Sequence, residues 1–211
     1  MSAATGAKHT LEGHLELSLG EIVNDFALAL KAVDQTQPRG ASRKSIYRLG
    51  VGPLTEAETI KQALIYLKEY VRRSAYENVS PTPYPNSRQK CDMVIPNAWA
   101  IEFKLIRPFG DNGEEAEHWS KNVLHPYKGS TSSIGDCLKL RESDFVERKA
   151  VIVFGYEHTP PRIDLTIAVN AFEVIAVQVV GLKLGQRYTA EIGQLIHPVH
   201  QQGKVFGWEI L

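Results

Sequence analysis

An α/β sandwich with a mixed central sheet is the fold class this sequence predicts, and three stretches carry the prediction. Residues 150–156 (AVIVFGY) form a short, fully apolar run rich in β-branched residues, which marks a strand buried on both faces. Residues 55–73 keep apolar side chains at helical spacing behind a good N-cap. Residues 90–107 (KCDMVIPNAWAIEFKLIR) hold two apolar segments separated by Pro96-Asn97, the pattern of two strands joined by a turn. Along the chain the order is helix, strands, helix, strand, helix, strands, and such an order packs helices against a sheet.

Taking the elements in turn, residues 1–13 read as a loose terminus. The first helix starts near Ser18 or Gly20 and runs to about Gln35, with Ile22, Phe26, Leu28, Leu30 and Val33 as its broad apolar face. Residues 35–44 (QTQPRGASRK) form a polar connection that is basic at its end. Thr55 caps the second helix, and Glu58 completes a capping box; Ile60, Leu64, Leu67 and Val71 form its buried stripe. Glu56 lies one turn before Ile60 on that stripe, an odd place for a carboxylate unless something meets it. Residues 80–85 (SPTPYP) break regular structure. Strands follow at about 90–95 and 98–106, then a Gly- and acid-rich loop, 108–117, long enough to be functional or mobile. A helix over 132–141 precedes the central strand, residues 165–179 form another apolar helix, and 187–196 and 204–211 close the chain as strands.

A length of 211 residues suits one compact domain, 1–211, with a core at 54–156 and a C-terminal helix plus strand hairpin at 165–211. Hydrophobic residues make up 43% and charged residues 23%, the balance of an ordinary globular protein. Formal net charge is zero, which excludes a global basic field, so an anionic partner must be held by a local patch. Cys91 and Cys137 give neither a disulfide framework nor metal-site spacing, which points to a reducing compartment. Residues 1–13 carry no apolar signal region. The longest apolar run, 168–180, is interrupted by Asn170, Glu173 and Gln178 and is too short to span a bilayer. A cytoplasmic protein without a membrane partner is the expectation.

The chemistry concentrates in residues 90–107. On a strand, Trp99, Ile101, Phe103 and Leu105 face one way, while Glu102 and Lys104 face the other beside Ala100. A carboxylate and an ammonium on so apolar a strand are costly to desolvate and call for a metal, a partner or a substrate. Asp92, nine residues, then Glu102-Phe103-Lys104 resembles the D-(x)n-E-x-K core of the PD-(D/E)xK nuclease superfamily, which contains many restriction endonucleases, Holliday-junction resolvases and repair nucleases. The likeness lies in motif and element order over residues 54–156 and leaves both ends of the chain outside it. Cys91 stands where the family's name has proline.

That resemblance implies a restriction endonuclease-like αβ sandwich and a magnesium ion, with manganese able to substitute and no small-molecule cofactor. Asp92, Glu102 and the backbone carbonyl of Phe103 would be its ligands, since magnesium takes oxygen donors. Lys104 would orient the attacking water and stabilise charge on the phosphate. Glu56 is the candidate for the helical glutamate that completes such sites, as catalytic residue and metal ligand; Glu58 is the alternative, already explained by its capping position. The activity implied is Mg²⁺-dependent hydrolysis of phosphodiester bonds in DNA, as in restriction or defence enzymes, by a homodimer whose two-fold symmetry serves two strands. Two other readings stand beside it: a nucleic-acid-binding or assembly module that keeps the fold without cutting, and an unrelated α/β protein in which the charged residues are a structural ion pair.

Basic residues gather before and through this core: Lys68, Arg72, Arg73, Arg88, Lys90, Lys104 and Arg107, with Lys121 and Lys128 after it. Arg88, Lys90, Arg107, Lys128 and Lys139 are the candidates for phosphate contacts, which bind through such local charge. Lys68, Arg72 and Arg73 read equally well as solvated helix residues. Asp136 and Lys139, one turn apart, read first as an i,i+3 surface pair, although in related folds this helix approaches the site. Tyr84 and Trp119 are candidate stacking residues, and His125 is a candidate substrate contact. His118, His197 and His200 read as solvated loop residues, because His197-x-x-His200 lacks a third zinc ligand.

Overall fold

The computed structural model describes residues 17–40, 47–71 and 74–211. The whole of the expected loose terminus, the basic end of the 35–44 connection, and Arg72 and Arg73 lie outside the described residues.

Helix α1 (Leu19–Gln35) begins at Ser18, which forms a full capping box with Glu21. Helix α2 (Glu56–Tyr66) begins at Thr55 with the expected box to Glu58 and runs on as a π turn through Leu67–Val71. Three strands follow: β1 (Ser80–Pro83), β2 (Lys90–Ile95) and β3 (Trp99–Ile106). A short helix α3 (Lys121–Leu124) and the longer α4 (Ser133–Arg141) lead to β4 (Arg148–Glu157). Helix α5 (Leu165–Val174), prolonged by a π turn over Ile175–Val179, then precedes β5 (Tyr188–Ile192) and β6 (Gln202–Ile210).

The strands form one six-stranded sheet in the order β1-β2-β3-β4-β6-β5. Only β3 and β4 run parallel; every other neighbouring pair is antiparallel. A parallel pair needs a crossover connection, and α3 and α4 supply it. The alternation of β3 sorts its side chains between two cores. Trp99, Ile101, Phe103 and Leu105 join the core under α1 and α2, whereas Ala100 and Ile106 join the core under α4 and α5. Phe26 of α1 packs on Phe103 with ring centroids 4.5 Å apart and planes tilted by 33°, fixing that helix over the middle of the sheet. Gly207 lets α1 approach β6, since a Cβ there would stand 2.5 Å from Val23.

Several expectations are corrected. Residues 80–83 form the edge strand β1, not a break: Pro81 and Pro83 cost a ladder bond only where a partner would be needed, and an edge strand has a free side. Leu28 lies on the outer flank of α1 at 53% exposure, so the buried face is narrower than the sequence pattern suggests. His197 and His200 are not solvated; both are buried, with rings stacked 4.7 Å apart. His197 Nδ1 accepts the N–H groups of Val199 and His200, and His200 Nε2 meets the Phe109 carbonyl at 2.9 Å. Gly52 closes against the pair, where a Cβ would lie 2.6 Å from His200 Nδ1. His118 is solvent-exposed, as expected. Cys91 and Cys137 are free and buried.

Candidate active site

The site forms where β2 and β3 part. Their register runs Ile95↔Trp99, Val94↔Ala100, Met93↔Ile101 and stops there, while β3 stays paired with β4 as far as Ile106. On the other flank, β1 pairs Ser80 with Val94 but Thr82 with Cys91, so three steps on β2 face two on β1. That extra residue is a β-bulge at Asp92–Met93, and a bulge re-aims a side chain. Asp92 turns toward β3 and accepts the Phe103 N–H at 2.9 Å. The next N–H on that side of β3, from Leu105, is taken at 2.7 Å by Glu56 Oε2 from the first turn of α2. Carboxylates thus replace the missing strand partner. In a strand the N–H and C=O of one residue share a side, so the Phe103 carbonyl faces the same opening.

Glu102 and Lys104 project from β3 into a cavity of about 550 Å³ under α4 and the β1–β2 connection. Both are buried, Glu102 at 3% exposure and Lys104 at 9%. Lys104 Nζ sits between Glu56 Oε1 at 3.3 Å and Asp136 Oδ2 at 3.1 Å. Lys139 Nζ sits between Glu102 Oε1 at 2.8 Å and Asp136 Oδ1 at 3.2 Å. Glu102 Oε1 also accepts the Tyr84 hydroxyl. Asp136 therefore links two lysines, one belonging to the strand and one to its own helix.

The electrostatics follow from this crowding. Burial, then the neighbouring Asp92 and Asp136 carboxylates, push Glu102 up to about 8 against the pull of Lys139. Burial also raises Asp92, and its bonds to Glu102 and the Phe103 N–H only partly offset that. Burial works against charge on Lys104, but Asp136 and Glu56 outweigh it and hold its ammonium above the ordinary value. Lys139 behaves likewise, with Glu102 and Asp136 outweighing its burial. Desolvation and the facing Glu102 keep the Tyr84 phenol protonated. Four acids, Glu56, Asp92, Glu102 and Asp136, thus crowd around the ammonium groups of Lys104 and Lys139.

A divalent cation would favour the ionised form of these crowded acids, displacing the proton that Glu102 otherwise keeps. The donors facing the gap are oxygens alone, which suits magnesium over softer metals. Among the described residues, no group of three or more His, Cys, Asp or Glu side chains is set to enclose an ion. Magnesium acting on phosphates is held by one or two carboxylates, with water and phosphate oxygens in the other positions. Asp92, Glu102 and the Phe103 carbonyl are the oxygens that could hold such an ion.

Of the residues singled out from sequence, Asp92, Glu102, Lys104 and Glu56 come together. Both oxygens of Glu56 are engaged, one on Lys104 and one on the Leu105 N–H, so as placed it positions the strand and its lysine. Lys139 lines the cavity, and its pair with Asp136 is not a solvated surface pair: Asp136 is 6% exposed. Lys90 and Lys128 stand on the cavity wall, with Lys128 paired to Glu142 at 2.8 Å, and Arg88 is exposed on the adjoining β1–β2 connection. Arg107 lies elsewhere, its guanidinium bonded to the Gly52 and Leu54 carbonyls. Tyr84 is buried at 5% exposure with its hydroxyl on Glu102, so it is not a free stacking platform. Trp119 packs half-buried against the α4–α5 core. His125 stands just before the cavity wall, and its carbonyl accepts the Ser132 hydroxyl that caps α4.

The sequence alone misreads the roles of two partners, Tyr84 as a stacking residue and Asp136 first as half of a surface pair. Tyr84 sits among prolines with no local sign of its role. Asp136 carried one: it lies inside the apolar helical pattern of Ile134, Cys137 and Leu138, where a solvated carboxylate does not belong.

Comparison of the chain with family models, with curated proteins and with solved structures gives no match.

Proposed function

We propose that this chain is a metal-dependent endonuclease that hydrolyses phosphodiester bonds of DNA, on a restriction endonuclease-like fold. One observation carries the reading: Asp92 and Glu102 converge from two parting strands, beside a lysine clamped between Glu56 and Asp136, on the floor of an open cavity. Asp92, Glu102 and the Phe103 carbonyl would hold magnesium or manganese. Such an ion lowers the pKa of bound water and offsets charge on the phosphate. Lys104, held cationic by its two acids, is unsuited to act as a base; it donates to a phosphoryl oxygen and orients the water. Glu56 and Asp136 position that ammonium. Lys90, Lys128 and Lys139 line the walls along which phosphates would lie. One cavity serves one strand, so cutting a duplex calls for a second copy of the chain in a two-fold dimer.

The engagement of Glu102 Oε1 by both Lys139 and Tyr84 favours a second reading, a module that binds nucleic acid and does not cut it. Plasmid DNA with Mg²⁺ or Mn²⁺ separates the two. Wild type is expected to nick or linearise the plasmid, and Lys104→Ala to lose roughly 10²–10³-fold of the rate, the scale of one lost charge-stabilising donor. Equal nicking by both proteins refutes the catalytic assignment. Binding without nicking in either metal supports the second reading.

A further inference from the structure

We infer that the groove between α2 and the edge strand β1 is a further phosphate-binding subsite, which takes DNA next to the scissile phosphate; this rests on the nuclease reading of the neighbouring cavity. The groove measures about 280 Å³ and meets the catalytic cavity at Asp92, which lines both. A strand seated at Asp92 therefore has two directions in which to continue, and this is one of them. Its floor is apolar, from Ile60, Leu64, Val79 and Pro81. Its rim carries Lys61 and Lys68. These two are seven residues apart on one side of the helical segment, spaced by about 10 Å along its axis.

Their charge is uncommitted. Three of the four cavity lysines are engaged, Lys104 with Glu56 and Asp136, Lys139 with Glu102 and Asp136, Lys128 with Glu142, which leaves Lys90 alone to continue the cavity's own wall. Among the described residues, neither Lys61 nor Lys68 is held by an ion pair or hydrogen bond, and both are exposed. An apolar floor with free ammonium groups at its edge suits a nucleotide: the base and sugar lie on the floor while the phosphates meet the lysines. The substrate class is a polynucleotide, since a mononucleotide at Asp92 would not reach both lysines.

The test is the salt dependence of binding, read by anisotropy of a short fluorescein-labelled DNA duplex. It is run in EDTA, where no metal supports cleavage, and in Mg²⁺ on a Lys104→Ala background that slows it, with a single strand of the same sequence in parallel. Lys61→Ala/Lys68→Ala is expected to flatten the plot of log K against log salt by roughly 1.4 for the single strand to 1.8 for the duplex, the loss of two phosphate contacts. Lys183→Ala, an exposed cation outside the groove, should leave the slope unchanged. A double variant with the parental slope on both probes overturns the subsite and leaves the nuclease reading standing. No binding of either probe by the parent overturns both. Lys61→Glu/Lys68→Glu guards against a small alanine effect, because reversed charge in a true subsite must weaken binding more than alanine does.

Discussion

Lys139 Nζ stands 2.8 Å from Glu102 Oε1, the oxygen that also accepts the Tyr84 hydroxyl. On the proposed reading a divalent cation would draw on the same carboxylate that this ammonium already engages. The two cations compete for one carboxylate. Lys139→Met keeps the length of the side chain and removes its charge, so manganese should bind about tenfold more tightly, or 1.4 kcal/mol. Titration calorimetry with Mn²⁺ and no DNA measures this directly. Unchanged or weaker binding would show that Lys139 does not hold the ion's place.

Asp136 offers a separate test, because it touches both lysines and faces the cavity. Asp136→Asn preserves its shape and one carbonyl oxygen while removing the charge that keeps Lys104 in line. On the proposed mechanism the cleavage rate falls roughly 10–100-fold, the usual scale for a partner that orients an active group. DNA affinity should hold or rise, since a negative charge has left the cavity. Rate and affinity falling together, with a lowered melting temperature, would mark Asp136 as structural only.

The local rules were legible, and what they could not supply is long-range. Ser18 and Thr55 announce their helices by the glutamate three residues on, and the alternation from Trp99 to Leu105 sorts into the two cores as read. Asp92, Glu102 and Lys104 were visible because polar residues interrupt apolar strands. The bulge at Asp92 was not, since a bulge is a relation between two strands and leaves no mark in either. The prolines of β1 masked a strand that survives only at a sheet edge. Tyr84 and the His197–His200 pair lie in polar stretches, and only tertiary packing buries them.

Phe26 shows how the core supports the site. Its ring is fully buried, 4.5 Å from Phe103 and 5.3 Å from Phe154, and Phe103 lies between Glu102 and Lys104 in sequence. Phe26→Ala should cost about 3–5 kcal/mol of stability by chemical denaturation, the range for a buried aromatic. Phe26→Leu fills most of the volume and should cost less than half of that. Equal losses for the two would mean that the aromatic contacts, not volume, hold α1 on β3.

The buried imidazoles predict acid sensitivity. Burial drives His200 down to about 4, with the nearby His197 and Arg107 acting in the same direction. An unfolded chain takes up this proton near the ordinary value of 6.5. Between 6.5 and about 4 the unfolded state therefore binds more protons than the folded one, so stability falls as pH falls. The contribution is complete above 6.5 and shrinks on acidification through that window, by an amount on the order of 3 kcal/mol. His200→Gln keeps an N–H able to reach the Phe109 carbonyl and cannot titrate. The stability difference between wild type and this variant, measured by urea unfolding from neutral pH to pH 4, should narrow steadily. A difference that stays constant across the window would mean that His200 carries its proton equally in both states, and the desolvated pair would not be the source of any acid lability.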